Sequence, residues 1–139
     1  MRVYLYFIGK PRDRAANQMA AGFLDRSQHY ARCEMREIAP GRFDPWSRHP
    51  SGLKVLLDPR GKPLDSGGFT ALIERSASEG RDLVFVVGGA DGLPPAWKPR
   101  ADLLLSLSPM TFSHELARVM LAEQLYRAFT TLRGHPYPR

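Results

Sequence analysis

The sequence predicts an α/β fold in which a mainly parallel sheet is flanked by helices. Five short segments have the composition of strands, and four of them end at glycine, aspartate or serine. Each gap between them is filled by a helical pattern or a long loop, which favours parallel rather than hairpin connections. At 139 residues, with 43% hydrophobic and 24% charged side chains, the chain has the size and composition of one globular domain spanning 1–139.

The first half of the chain contains two predicted strands and one helix. Residues 2–9 are β-branched and aromatic and end at a glycine, which predicts a strand. Residues 13–30 have apolar residues near helical spacing, with Asp13 as the N-cap. Residues 33–39 alternate and predict a half-buried strand, whereas the proline- and glycine-rich stretch 40–52 predicts a loop.

The second half repeats the alternation of strand and helix. Gly80 is the expected C-cap of its first helix, and Ser113 is the expected N-cap of its last. The predicted elements are a strand at 53–58, a turn-rich connection at 59–68, a helix at 69–80, a strand at 82–89, a loop at 90–100, a strand at 102–108 and a helix at 113–130.

The charge and the cysteine content restrict the kinds of partner, cross-link and metal site that the chain can have. The net charge of +6 weakly favours a polyanionic partner. No acid follows Glu123, so the C-terminus is either a phosphate-contacting edge or a solvated tail. A single cysteine, Cys33, excludes an internal disulfide, and the four histidines lack ligand spacing, so no metal site is expected.

The apolar runs are too short for a membrane protein. None approaches the roughly 20 residues of a membrane span. The first segment suits a strand better than a signal peptide, because it lacks a long apolar region and a small-residue cleavage site. We therefore expect a cytoplasmic protein.

Three strand ends are the expected ligand-binding positions. In open parallel sheets ligands bind outside the carboxyl ends of strands, here after Asp58, Val87 and Leu107. Gly88 and its neighbouring glycines let a ligand approach the backbone, but taken alone they fit a tight turn equally well. The stretch "SLSPMTFS" at 106–113 mixes hydroxyls with apolar residues, as an adenine pocket does, although an irregular loop ending in an N-cap serine has the same composition.

The last predicted helix is apolar in nearly every direction around its axis. A small domain has little room to bury such a helix, so we expect it to form a homodimer interface. Glu123 and Arg127 have i, i+4 spacing and can pair. Arg118 lies one turn after His114, near "SLSPMTFS", and is either a salt-bridge partner or a site residue.

Four stretches of the chain form an ordered set of motifs. They are "LLDPRGKPLDS", "VVGGADGLPP", "LSLSPMTFSHELARVMLAEQLYRAF" and the terminal "HPYPR". Together they resemble the RlmH family, the ribosomal RNA large subunit pseudouridine-N3 methyltransferases of the SPOUT superfamily. The second stretch is similar to the family's glycine loop, and the third to its S-L-S-x-x-T-x-x-H-x-L-x-R segment and the helix that follows. The strong resemblance covers about 53–139.

The resemblance implies a SPOUT-type fold with a C-terminal trefoil knot, an obligate homodimer and S-adenosylmethionine as the cofactor. The implied substrate is N3 of a pseudouridine in 23S ribosomal RNA, within the large subunit or the ribosome. The cofactor would contact residues at the three strand ends, namely Leu57, Gly88, Leu107, Ser108, Pro109, Met110, Thr111 and Phe112.

Four residues in the resembling motifs are candidates for catalysis. Arg118 and Arg139 would stabilise the anion that develops when N3 loses its proton. Tyr137 would stack on or bond the base, and His114 is the candidate proton acceptor. Because the tail follows the interface helix, it would serve the partner subunit's cofactor pocket.

Two other functions compete with an active methyltransferase. A nucleotide- or NAD-binding protein would need a G-x-G-x-x-G turn and a later acidic residue, and that fingerprint is absent. The family usually ends in H-P-Y-H-R or H-P-Y-H-K, whereas Pro138 stands here in place of the second histidine. This departure leaves open a noncatalytic RNA- or ribosome-binding protein that retains the fold.

Overall fold

The computed structural model describes residues 1–138 and contains one five-stranded sheet with helices on both faces. The strands are β1 (Arg2–Ile8), β2 (Arg32–Ile38), β3 (Leu53–Pro63), β4 (Leu83–Val87) and β5 (Leu103–Ser106). The helices are α1 (Arg14–Ser27), α2 (Pro45–Arg48), α3 (Ser66–Ser78) and α4 (His114–Leu132), with a 3-10 helix at Pro95–Arg100.

All the strand pairings within the sheet are parallel, which confirms the predicted α/β class. The strand order is β2-β1-β4-β3-β5. Strand β4 lies at the centre, and all five of its residues are buried. Its continuous apolar sequence is the pattern expected of a parallel strand covered on both faces.

The two faces of the sheet have separate cores. On the larger face, α4 packs against α1 and α3, and these helices cover side chains such as Val3, Leu5 and Phe85. On the other face, Tyr6 and Val84 lie under the short α2 and the 3-10 helix. Three long helices thus cover one face, whereas the opposite face is only partly covered.

Most predicted helix caps are confirmed. The Asp13 carboxylate accepts a hydrogen bond from the N–H of Ala16 at 3.0 Å, and Ser113 accepts one from Leu116 at 3.2 Å. Gly80 follows α3 with φ at +67°, which suits glycine. The prediction that α3 begins near Phe69 was wrong, because Asp65 accepts from the N–H of Gly68 and starts the helix at Ser66.

Strand β3 is longer than predicted. The segment that resembled a turn, 58–61, is a bulge, after which Lys62 and Pro63 pair again with β5. A Cβ on Gly61 would lie 2.5 Å from the carbonyl oxygen of Leu104, so the bulge passes directly against the backbone of β5. Only glycine allows that approach.

The predicted loop at 40–52 contains the short helix α2. Asp44 caps it by accepting a hydrogen bond from the Trp46 N–H at 2.9 Å, and Pro45 occupies its first position. Within residues 1–138, no helix is both long and apolar enough to span a bilayer.

Candidate functional site

The carboxyl ends of β3 and β4 and the loop before α4 line an open cavity of about 380 Å³, which we call the strand-end cavity. Parallel strands place these ends at one edge of the sheet, as the sequence predicted. The lining residues are Leu57, Asp58, Val87, Gly88, Gly89, Ala90, Gly92, Leu93, Lys98, Thr111, Phe112, Ser113, His114 and Ala117.

The glycine loop of the cavity folds back closely on itself. A Cβ on Gly88 would lie 2.7 Å from the carbonyl carbon of Gly92, and Gly92 has φ at +77°. The N–H of Gly92 donates to the carbonyl oxygen of Gly89 at 2.9 Å and closes the turn. The loop is therefore a tight turn, as one of the two alternatives had it, and it also lines the cavity. Ligand binding by this loop stays a prediction.

Asp58 and Lys98 form an ion pair in the cavity wall. The Lys98 ammonium lies 3.1 Å from the Asp58 carboxylate, which is one-tenth exposed. The Arg60 N–H, which donates to Asp58 at 2.9 Å, and the Lys98 ammonium hold the pKa of Asp58 below its ordinary value. The cavity thus presents opposite charges at one place, and a polar ligand can bind either of them.

Four of the eight residues expected to contact the cofactor line the strand-end cavity. They are Leu57, Gly88, Thr111 and Phe112. The other four, from Leu107 to Met110, are not among its lining residues.

Local contacts explain where the other four residues lie. The Ser108 hydroxyl accepts a hydrogen bond from the Met110 N–H at 3.0 Å, which closes a local turn in the loop. Met110 is 72% exposed, and Leu107 lines a different, apolar cavity between α1, α3 and α4. The Ser106 hydroxyl lies 3.0 Å from the carbonyl oxygens of Pro59 and Ser108 and joins this loop to the β3 bulge.

His114 and Arg118 occupy different environments although they are one turn apart. His114 lines the strand-end cavity. The Arg118 side chain is 2% exposed and its Cζ lies 3.9 Å from the ring centroid of Phe7. Its Nε and Nη2 atoms have no hydrogen-bond partner within residues 1–138, and burial lowers its pKa. Arg118 thus lies inside the protein, outside the cavity lining.

Glu115 connects α4 to the loop before α1. Its carboxylate accepts hydrogen bonds from the Arg12 N–H at 2.6 Å and the Asp13 N–H at 2.9 Å, and it lies 3.8 Å from Arg118. The backbone donors lower the pKa of Glu115. The sequence left Arg118 as either a salt-bridge partner or a site residue. The structure contains the salt bridge, with a long separation of 3.8 Å between Arg118 and Glu115.

The C-terminal tail lies against α4 of its own chain. The Tyr137 hydroxyl donates to Glu123 at 2.7 Å, and Arg127 donates to the same carboxylate at 2.8 Å. Burial and Glu123 raise the pKa of Tyr137. The expected Glu123–Arg127 pair is confirmed, but Tyr137 does not line the cavity of its own chain, and Arg139 lies outside the described residues.

The sequence alone did not identify Asp58 or Lys98 as site residues. Asp58 stood at one of the three predicted strand ends, which was the available signal. Lys98 follows a proline-rich loop, and its approach to Asp58 depends on how the 3-10 helix packs, which no local pattern reports. No group of three potential metal ligands occurs in the part of the chain that the structure describes.

Comparison with known proteins shows the family of this chain. A family model described as "Predicted SPOUT methyltransferase" matches residues 1–138. The chain belongs to the SPOUT methyltransferase family. Among its curated relatives, proteins named ribosomal RNA large subunit methyltransferase H are similar over the full chain, and the resemblance to the RlmH family is thereby confirmed.

The alignments with these relatives cover nearly the full length of this chain and of each relative. The protein of Solibacter usitatus is 63% identical over 139 residues and covers 100% of each chain. That of Sorangium cellulosum is 42% identical and covers 99% of each. That of Rhizobium rhizogenes is 39% identical over 159 residues and covers 100% of this chain and 99% of its own.

Two solved SPOUT-like structures share the fold at low sequence identity. A probable methylase family protein from Haemophilus influenzae has a TM-score of 0.59 and 11% identity, over 99% of this chain and 70% of its own. The SpoU methyltransferase AviRb from Streptomyces viridochromogenes, in complex with AdoMet, has a TM-score of 0.52 and 14% identity, over 89% of this chain and 56% of its own. They support the fold assignment alone.

Proposed function

We propose that this protein is a methyltransferase that uses S-adenosylmethionine to methylate N3 of a pseudouridine in 23S ribosomal RNA. The observation that carries the proposal is the strand-end cavity in a chain whose full-length relatives are named ribosomal RNA large subunit methyltransferase H. An rRNA substrate in turn favours a cytoplasmic location.

The strand-end cavity fits the cofactor in size and chemistry. Its volume of about 380 Å³ is within the roughly 300–1,000 Å³ of small-molecule sites. Leu57, Leu93 and Phe112 offer apolar walls for adenine, and Gly88 exposes backbone polar groups. The Lys98 ammonium and the Asp58 carboxylate match the carboxylate and ammonium of the methionine part.

The bound cofactor supplies an electrophilic methyl group, so the protein needs no covalent nucleophile. Burial raises the pKa of the Cys33 thiol to about 12, which makes it a poor nucleophile in any case. What the chain must supply is position, exclusion of water and a destination for the N3 proton. His114, in the cavity lining, is the residue we propose as that proton acceptor.

A homodimer would complete the site. Tyr137 packs against α4 of its own chain and does not line that chain's cavity, so we propose that the tail, with Arg139, serves the cavity of the partner subunit. Three exposed apolar residues on α4 support contact with a partner, since Leu116 is 54%, Met120 39% and Leu132 38% exposed. Met19 on α1 is 57% exposed and lines the adjacent apolar cavity of about 470 Å³.

We also propose that the chain forms the trefoil knot of its superfamily and that Arg118, from its buried position outside the cavity lining, acts on the developing anion through its charge alone. The close passage of Gly61 against β5 supports a crossing of chain segments at the β3 bulge. The Nε and Nη2 atoms of Arg118 have no hydrogen-bond partner within residues 1–138, which supports a role beyond its 3.8 Å ion pair with Glu115.

Transfer of labelled methyl groups tests the proposed function. The purified protein is incubated with tritiated S-adenosylmethionine and large subunits from a strain that lacks its gene. We expect tritium in 23S rRNA and release of S-adenosylhomocysteine. Binding of the cofactor and the subunit without methyl transfer would instead support the noncatalytic function that Pro138 leaves open.

A further inference from the structure

We propose that a cleft on the less covered face of the sheet binds single-stranded RNA outside the strand-end cavity. This inference rests on the proposed function, because it assigns a second contact with the RNA substrate. The cleft has a volume of about 460 Å³ and shares no lining residue with the strand-end cavity. We call it the basic-aromatic cleft, after Arg2, Arg32, Arg36, Arg48, Tyr4 and His49 in its lining.

Strand alternation puts these side chains on one face. Arg2, Tyr4 and Tyr6 occupy every second position of β1, and Arg2 pairs with Arg32 while Tyr6 pairs with Arg36 on β2. Tyr6 belongs to the core under α2 and not to the core under the long helices. The cleft therefore lies on the face that α1, α3 and α4 leave open.

Helix α2 completes the cleft with a fixed aromatic wall. Its last residue is Arg48, and His49 follows as the C-cap. The Tyr6 hydroxyl lies 2.7 Å from Nε2 of His49, and the rings of Tyr4 and His49 have centroids 4.3 Å apart. Lys54 donates a hydrogen bond to the carbonyl oxygen of His49. These contacts hold the rings in place before any ligand binds.

The positive charge of the cleft is not neutralised. Within residues 1–138, none of the guanidinium groups of Arg2, Arg32, Arg36 and Arg48 lies within 4.0 Å of a carboxylate or makes a side-chain hydrogen bond. One carboxylate, that of Glu34, lies in the lining and forms no ion pair there. Four guanidinium groups against one carboxylate leave the lining with an excess of positive charge, which a bound anion would offset.

The chemistry of the lining favours RNA over an acidic protein segment. Arginines beside accessible aromatic rings combine phosphate contacts with stacking surfaces for unpaired bases. An acidic peptide would form ion pairs with the arginines, but its carboxylates would not stack on the aromatic rings. The half-buried Tyr4 is the ring that a base would contact, since it lines the cleft whereas Tyr6 is 2% exposed.

Binding of a fluorescein-labelled single-stranded RNA of about 12 nucleotides tests the proposal. Fluorescence anisotropy is measured between about 50 and 200 mM salt, because each lost phosphate contact lowers the salt slope by about 0.7. The variants are Arg36→Glu, Arg48→Glu and their combination, with Arg36→Gln and Arg48→Gln as milder changes should a reversal unfold the chain. Arg75→Glu is the charge-matched control, because Arg75 lies on α3, which covers the opposite face.

We expect the double variant to lose on the order of tenfold or more in RNA affinity and about 1.4 in salt slope. Tyr4→Ala should lose roughly five- to 150-fold, whereas Tyr4→Phe, which keeps the ring, should bind as the wild type does. Affinity for S-adenosylmethionine should be unchanged in every variant. Unchanged RNA affinity and salt slope in the double variant would overturn the proposal.

Further outcomes distinguish an RNA site from a site for acidic protein, and a failure of the cleft from a failure of the proposed function. If polyglutamate displaces the RNA at equal charge concentration and Tyr4→Ala binds normally, the cleft is a site for acidic protein and the RNA assignment is wrong. If the wild type binds RNA through the cleft but transfers no methyl group, the proposed function fails and the cleft assignment stands. If methyl transfer occurs with an unchanged KM for RNA in the double variant, the cleft assignment fails and the proposed function stands.

Discussion

Arg118 lies against the ring of Phe7, with its Cζ 3.9 Å from the ring centroid, and joins α4 to the end of β1. The side chain is 2% exposed, so Arg118→Ala should leave a cavity and cost about 2–4 kcal/mol of unfolding free energy. Arg118→Met should cost less, because an apolar side chain of similar length replaces a buried charge. Thermal or urea unfolding of the three proteins measures the difference.

Arg118→Met, together with Arg118→Lys, tests the proposed chemical role of Arg118. If its charge acts on the developing anion, Arg118→Met will fold and bind S-adenosylmethionine but lose methyl transfer, and Arg118→Lys will recover part of the activity. Full activity in a stable Arg118→Met protein would make the residue structural.

The bonds from Glu115 to the Arg12 and Asp13 N–H groups predict a pH-dependent contribution to stability. Because the pKa of Glu115 is lowered in the folded protein, its stabilising effect is present above the ordinary glutamate value near 4.5 and is lost as the pH falls through the folded value. Glu115→Gln should be less stable than the wild type at pH 7 and equally stable near pH 2. Urea unfolding at the two pH values measures the difference in unfolding free energy between the variant and the wild type. The same difference at pH 7 and near pH 2 would contradict the prediction.

The turn at Gly88 predicts a steric effect on cofactor binding. A side chain there would meet the carbonyl carbon of Gly92 at 2.7 Å, so Gly88→Val must displace the glycine loop. We expect at least a tenfold loss of S-adenosylmethionine affinity by calorimetry. Gly41→Ala is the control, since nothing lies within 4 Å of its Cβ position. Wild-type affinity in Gly88→Val would remove the loop from the proposed site.

The exposed apolar surface of α4 predicts how the dimer can be broken. Met120→Glu places a charge beside the apolar cavity between α1, α3 and α4 and should convert a dimer to a monomer in sedimentation equilibrium. Ala77→Glu, at an exposed position of α3, should leave the dimer intact. A wild type that sediments as a monomer would refute the proposed homodimer.

The sequence predicted those features of the fold that depend on local rules. Asp13 and Ser113 were recognised as caps because a short polar side chain stood before a helical pattern. The cap at Asp65 was missed because Gly67 and Gly68 in the first turn of α3 resemble a loop. The continuation of β3 beyond 58 was missed because pairing with β5 depends on tertiary contact.

The candidate site was predictable in position but not in detail. The strand-end rule located the cavity, since it depends only on a parallel sheet. Lys98 reaches Asp58 across 40 positions of sequence, and Arg118 is buried against Phe7, which is 111 positions away. Contacts at such separations follow from packing, so the sequence could offer only alternatives for Arg118.

The most direct test of the proposed activity is mass spectrometry of nucleosides from 23S rRNA of a strain that lacks this gene. We expect N3-methylpseudouridine to disappear from the rRNA. It should return when the wild-type gene is supplied on a plasmid, but not with Gly88→Val. Persistence of N3-methylpseudouridine at its normal level in the deletion strain would contradict the proposed substrate.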